Sequence, residues 1–185
     1  MKINQYQLMN TLGKGGYATV KLCRHLLTNE LYAIKSMSKK FLKSKFPAGK
    51  TQSAYDFVKD ELKVLQTLEH PNIIYLHEII DDPNRDHIYL ITEYHSRGSL
   101  ADRLHEKNKM FFDHNKRCLR DNRPQDCKYK GIRLAELRNY FLDMVKALHY
   151  CHNVVNVIHR DIKPENIVVS HNEEAVLIDF GVSFL

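Results

Sequence analysis

The sequence predicts an α+β fold: a five-stranded antiparallel sheet with one helix, followed by a helical half. Three observations carry this reading. Apolar, strand-like runs fill residues 6–35 and 73–94, with one amphipathic segment between them at about 54–68. A second amphipathic segment, 134–152, is long enough for a substantial helix. Finally, His159 to Gly181 reads as two short apolar strands framed by polar loops, and it holds Asp161, Asn166 and Asp179 near one point.

At 185 residues, 43% of them hydrophobic, the chain can bury one sizeable core and is not disordered. The net charge of +6 sits in two patches. Residues 36–55 hold five lysines and no acid, and residues 106–133 hold nine Lys/Arg against four Asp/Glu. The remainder is net acidic, so a uniform nucleic-acid-binding surface is not expected. Cys23, Cys118, Cys127 and Cys151 lack the close spacing of a zinc knuckle and read as reduced thiols of an intracellular, cytoplasmic or nuclear protein. The start lacks an apolar signal core, and no run approaches a membrane span.

In chain order, Tyr6 to Leu12, Thr19 to His25 and Leu31 to Lys35 read as three strands. Residues 36–55 read as an extended basic loop. The helix from Ala54 to Leu68 places Glu61, Leu65 and Leu68 on one face, and Pro71 stops it. Ile73–Ile80 and His87–Tyr94 complete the sheet around the turn Asp81–Asp86. A short helix follows from Ser99 to about His105. Residues 106–132 are polar, basic and weakly periodic, an insertion with only Phe111, Phe112 and Tyr129 to stack on bases. From Leu134 to His152, Leu134, Leu137, Phe141, Val145 and Leu148 recur at three and four.

The residue types around Asp161 suit phosphoryl transfer. Asp161 can accept a hydroxyl proton, and Asn166 and Asp179 offer hard oxygens for magnesium. Lys163 would point to the same side of an extended loop and neutralise phosphate charge. The bland alternative is turn chemistry beside a β-hairpin. Upstream, Gly13-Lys14-Gly15-Gly16-Tyr17-Ala18-Thr19-Val20 lets backbone amides approach phosphate oxygens. A dinucleotide fold would need a helix straight after these glycines, whereas strand-like Thr19-Val20-Lys21-Leu22 follows. Lys35 ends a strand, where a lysine commonly just reaches water. Glu61 on an apolar face is costly unless paired, or else lies exposed beside Asp60.

His159-Arg160-Asp161-Ile162-Lys163-Pro164-Glu165-Asn166 followed by Asp179-Phe180-Gly181 resembles the catalytic and metal-binding loops of eukaryotic protein kinases. The resemblance implies a sheet-rich lobe at 1–94, then a hinge and partial helical lobe at 95–185 that carries the basic insertion. It implies Mg-ATP as nucleotide and a protein substrate, with another kinase as one candidate. It makes Asp161 the base, with Lys163 on the phosphate and Asn166 and Asp179 on Mg2+. It also implies that Lys35 pairs with Glu61 and holds the α- and β-phosphates. The residues implied around ATP are Gly13, Lys14, Gly15, Gly16, Tyr17, Ala18, Val20, Ala33, Lys35, Thr92, Glu93, Tyr94, His95, Ser99 and Val168. Lys163 implies Ser/Thr specificity. Two departures stand out: Ala18 replaces the third glycine, and Tyr32 replaces the family's usual valine. The Ile80–Leu90 segment, Phe46-Pro47 and Gly181-Val182-Ser183 are similar to calcium/calmodulin-dependent protein kinase kinases.

The chain ends four residues past Gly181, without the activation segment and later helices of such a kinase. It is therefore expected to be part of a full kinase, the alternative being an inactive truncated module that binds nucleotide or a regulatory partner. In either case the missing lobe or a partner is needed to cover the apolar face of helix 134–152. No nucleic-acid or membrane partner is expected.

Overall fold

The computed structural model describes residues 1–46, 49, 51–106, 109 and 132–180, with the Glu61 side chain also outside the description. Its strands are β1 (Lys2–Ile3), β2 (Tyr6–Lys14), β3 (Thr19–His25), β4 (Leu31–Ser38), β5 (Leu76–Asp81), β6 (His87–Glu93), β7 (Ile167–Val169) and β8 (Ala175–Leu177). Its helices are α1 (Lys39–Lys43), α2 (Ala54–Thr67), α3 (100–106) and α4 (Leu134–Asn153). Among the described residues, β1 to β6 form one antiparallel sheet in the order β1-β2-β3-β4-β6-β5, and β7 and β8 form a separate hairpin.

The large sheet has six strands, not five. The extra strand, β1, is two residues long and folds back through Asn4 in a left-handed turn, so that Ile3 opposes Tyr6. It is too short to show a period. The basic segment is also not loop throughout, because Lys39–Lys43 form α1. Ser38 Oγ accepts from the Phe41 amide, and Asp86 accepts from both the Lys40 amide and the Ser38 hydroxyl. Lys39 Nζ reaches Asp81 Oδ1 at 2.8 Å and the Asp82 carbonyl at 2.7 Å. These acids lie about forty positions downstream, so short-range pattern could not reveal them.

The sheet buries both faces by the two-residue alternation of strands. On β6, Ile88 and Leu90 join the core beneath α2, while Ile91 joins a second cluster with Ile3, Tyr6, Cys23, Ile34 and Ile80. Each such aliphatic side chain contributes about 1.5–3 kcal/mol on full burial, an upper bound for folding. Helix α2 is closed at its start by Asp56, whose Oδ2 accepts from the Ser53 amide at 3.0 Å and the Ser53 hydroxyl at 2.7 Å.

Two sequence expectations shift. The strand expected from Ile73 begins at Leu76, because Ile74 N donates to the Leu177 carbonyl and Leu177 N to the Asn72 carbonyl. The first residues of that run therefore bind β8 instead of β6. On α4, the side chains packed inward are Tyr140, Met144, Ala147 and Cys151. The stripe read from periodicity faces out, with Leu134 82% and Phe141 67% exposed. Leu148 alone of that stripe is half-buried. The basic insertion, Cys118 and Cys127 lie outside the described residues. No helix among the described residues is long and apolar enough to cross a membrane.

Candidate functional site

A cleft of about 470 Å³ lies between the large sheet and the β7–β8 hairpin, a size typical of small-molecule pockets. Strands β2 to β4 and β6 supply Gly13, Val20, Ala33, Lys35 and Thr92. Glu93, Tyr94 and His95 follow as the chain leaves β6, and Ser99 and Val168 face the cleft from the other half. Asp179 stands at its end.

Lys35 and Asp179, 144 residues apart in sequence, meet across this cleft at 3.2 Å. The Glu61 side chain, expected beside Lys35, lies outside the described residues, although its backbone belongs to α2. Gly181 also lies outside them.

The glycine segment forms the turn between β2 and β3. Gly13 opposes Val20, Lys14 opposes Thr19, and Gly15 N donates to the Ala18 carbonyl at 2.8 Å. Gly13 lines the cleft, whereas Lys14, Gly15, Gly16, Tyr17 and Ala18 do not. Tyr17 is half exposed, its ring 6.0 Å from that of Phe41, and Ala18 packs against the core.

Asp161, Lys163 and Asn166 form a separate cluster beside the cleft. Asp161 Oδ2 accepts from Lys163 Nζ at 2.6 Å and from Asn166 Nδ2 at 2.8 Å. Asn166 Nδ2 also donates to the Asp161 carbonyl. Among the described residues, Asp161 Oδ1, Asn166 Oδ1 and Asp179 Oδ2 accept no hydrogen bond, so three oxygens stay open for a substrate or a cation. The Lys163 ammonium, aided by Asn166, holds the Asp161 carboxyl below its ordinary range, and Asp161 raises Lys163 in return.

His159 underlies both groups. It is buried, its Nε2 donates to the Ile178 carbonyl at 3.0 Å, and its Nδ1 accepts from the Asp161 amide at 3.2 Å. This pair of bonds requires a neutral ring with the proton on Nε2. Burial pushes its pKa down in agreement. The buried Phe180 ring sits edge-on to it, 4.7 Å between centroids. Arg160 and Asp179 both adopt left-handed backbone, at φ 67° and 63°. Such strain costs about 1–3 kcal/mol per residue and persists where surrounding contacts over-determine it.

The cleft also holds Leu12, Leu65, Ile74, Leu90, Ser96, Gly98, Asp102, Glu165 and Ile178, which sequence reasoning did not name. Asp102 was detectable, since Ser99-x-x-Asp102 is a capping signature. Ser99 N and Oγ both donate to Asp102 Oδ2, and these bonds hold the carboxyl below its usual range. His95 Nε2 is buried, 3.3 Å from Glu93 Oε1 but not aligned to donate to it.

Among the described residues, no three His, Cys, Asp or Glu side chains form a metal cage. Asn166 and Asp179 still suit magnesium, which takes few protein ligands and completes its shell with water and phosphate oxygens.

The chain matches the family described as the protein kinase domain over residues 6–185. It is 33% identical over 183 residues to the serine/threonine-protein kinase ssp1 of Schizosaccharomyces pombe, covering 99% of this chain and 24% of that protein. It is 34% identical over 183 residues to a probable serine/threonine-protein kinase of Dictyostelium discoideum, covering 99% and 22%. Human NUAK family SNF1-like kinase 1 is 32% identical over 182 residues, covering 98% and 23%. The chain thus spans about a quarter of the length of these curated relatives.

Proposed function

Because the chain belongs to the protein kinase family, with serine/threonine kinases as its relatives, we propose that it transfers the γ-phosphoryl group of Mg-ATP to a Ser/Thr hydroxyl of a protein. The observation that carries this is the Lys35–Asp179 contact across the cleft, with an open Asp161 oxygen beside it.

The apolar part of the cleft, Val20, Ala33 and Val168, takes the adenine, and the backbone from Glu93 to His95 hydrogen-bonds its edge. Lys35 neutralises phosphate charge and keeps Asp179 turned into the cleft. Asn166 and Asp179 would hold magnesium, which would supply positive charge against the phosphates. Asp161 Oδ1 takes the hydroxyl proton as the new O–P bond forms and the bond from the γ-phosphorus to ADP breaks. Lys163 holds Asp161 through its other oxygen and faces the moving phosphoryl charge. Glu61 would set Lys35 from α2.

Within the family, the Ile80–Leu90 segment and Phe46-Pro47 support a kinship with calcium/calmodulin-dependent protein kinase kinases, which makes another kinase the substrate we favour. Buried free thiols at Cys23 and Cys151 suit a cytoplasmic setting.

The test is label transfer from γ-labelled Mg-ATP to mixed Ser/Thr peptides, with a thermal shift by Mg-ADP alongside. Asp161→Asn should lower transfer by about 100-fold or more and keep the shift. Undiminished transfer removes Asp161 from its role. A shift without any transfer by the wild type would instead favour an inactive nucleotide-binding module.

A further inference from the structure

The turn between β7 and β8 carries a residue that its backbone does not favour. Glu173 has φ 64°, a left-handed conformation suited to glycine or asparagine. Its carboxylate is fully engaged. Oε1 accepts from Arg97, and Oε2 accepts from Arg103 Nη1 and Tyr140 Oη, each at 2.9 Å. Arg103 Nη1 also reaches Tyr140 Oη at 2.7 Å, and Arg97 Nη2 reaches the His171 carbonyl at 3.3 Å. The partners come from the segment after β6, from α3 and from α4. Tyr140 is buried, and the Arg103 side chain is only 16% exposed.

We propose that Glu173 is a positioning residue: its carboxylate clamps the β7–β8 hairpin to Arg97, Arg103 and Tyr140 and so sets the nucleotide cleft. The hairpin carries Val168 on the cleft wall, with Asn166 just before β7 and Asp179 just after β8. Beside the clamp, β7 is tied to the segment after β6 by one main-chain bond, Val169 N to the Gly98 carbonyl at 3.1 Å, with Ser99 bridging Val168. On its other edge β8 is held by Asn72, Ile74 and Asp143. The carboxylate fixes the remaining end of the hairpin, its turn, because three donors from three elements converge on two oxygens. Glu173 touches no part of the cleft itself. The inference rests on the nucleotide reading given above.

The test compares Glu173→Gly and Glu173→Asp with the wild-type chain, reading the Kd for Mg-ADP well below Tm, and Tm itself. Glycine suits the left-handed turn, so Glu173→Gly should keep Tm within a few degrees yet weaken Mg-ADP about fivefold. Aspartate keeps a carboxylate and should recover part of that loss. A Kd unchanged in Glu173→Gly overturns the clamp, and so does an Asp variant no better than the Gly variant. If Glu173→Gly does not fold, Arg103→Met gives the same readout, and an unchanged Kd there also overturns it. A wild-type chain that binds no Mg-ADP removes the nucleotide reading and the clamp with it, an outcome distinct from the others.

Discussion

Lys163 Nζ lies 2.6 Å from Asp161 Oδ2, so the group proposed to face the phosphate and the group proposed to take the proton form one ion pair. Removing the ammonium has two separable effects. In Lys163→Ala the turnover number should fall by about 100-fold, the scale seen when one stabilising donor is lost, with little change in Mg-ADP affinity. The Asp161 pKa should also rise toward its ordinary value, because the charge that lowers it is gone. Steady-state kinetics reads the first effect, and a carboxyl NMR titration the second. An Asp161 pKa that stays put would show that Lys163 is not what depresses it.

Stability should decline on mild acidification. His159 is buried with its pKa pushed below 6.5, so the unfolded chain binds more protons than the folded one. Its contribution is complete above 6.5 and is lost as the pH drops below that value. His70, also lowered by burial, acts in the same direction. The lowered carboxylates Asp56, Asp86 and Asp161 respond only at lower pH. Tm should therefore fall between pH 7.5 and 5.5, and less steeply in His159→Asn. Equal slopes in the two proteins would remove His159 as the source.

Asn72→Ala should be costly. The Asn72 side chain is buried, and its Nδ2 donates to the Ala175 carbonyl at 3.0 Å. Truncation strands that carbonyl, a loss of about 1–3 kcal/mol. For a chain of this size that is roughly 3–10 °C in Tm. A calorimetric scan showing no change would mean that the Ala175 carbonyl had found another partner.

Gly98 has φ 70°, and a Cβ there would meet Asp102 Oδ2 at 3.3 Å. Gly98→Ala should cost about 1–2 kcal/mol from backbone strain alone. It should also weaken Mg-ADP several-fold, since Gly98 lines the cleft and its carbonyl holds β7. Calorimetry and a nucleotide titration check both. Unaltered affinity would mean that the strain does not reach the cleft.

What could be read from the sequence was whatever depends on near neighbours. The alternation of β6 rests on a spacing of two residues, and the caps at Ser53 and Ser99, which were not read, lay within reach at a spacing of three. The His159–Asn166 and Asp179–Gly181 motifs were visible because contiguous residues carry them. Contacts made at long range were not visible. Helix α1 depends on Asp81 and Asp86, and the shortened start of β5 depends on Leu177. The inward face of α4 contains Tyr140, Ala147 and Cys151, which are less apolar than the leucine stripe that faces out. Periodicity found the helix and ranked its faces by hydrophobicity, whereas packing against β8 turned in the face with Tyr140, Met144, Ala147 and Cys151. Glu173 escaped for a similar reason, since its three partners lie 33 to 76 residues away.

The bonds that join Asn72 and Ile74 to Leu177 have a mechanical consequence. They pin the upper sheet to the lower hairpin along one line, with Glu69 N bound to Tyr150 Oη close by. A rocking of the sheet that kept these bonds would turn about that line, with displacement smallest at Ile74 and growing toward the glycine turn at Gly15. Nucleotide would then enter and leave from the glycine side, while the buried edge stays still.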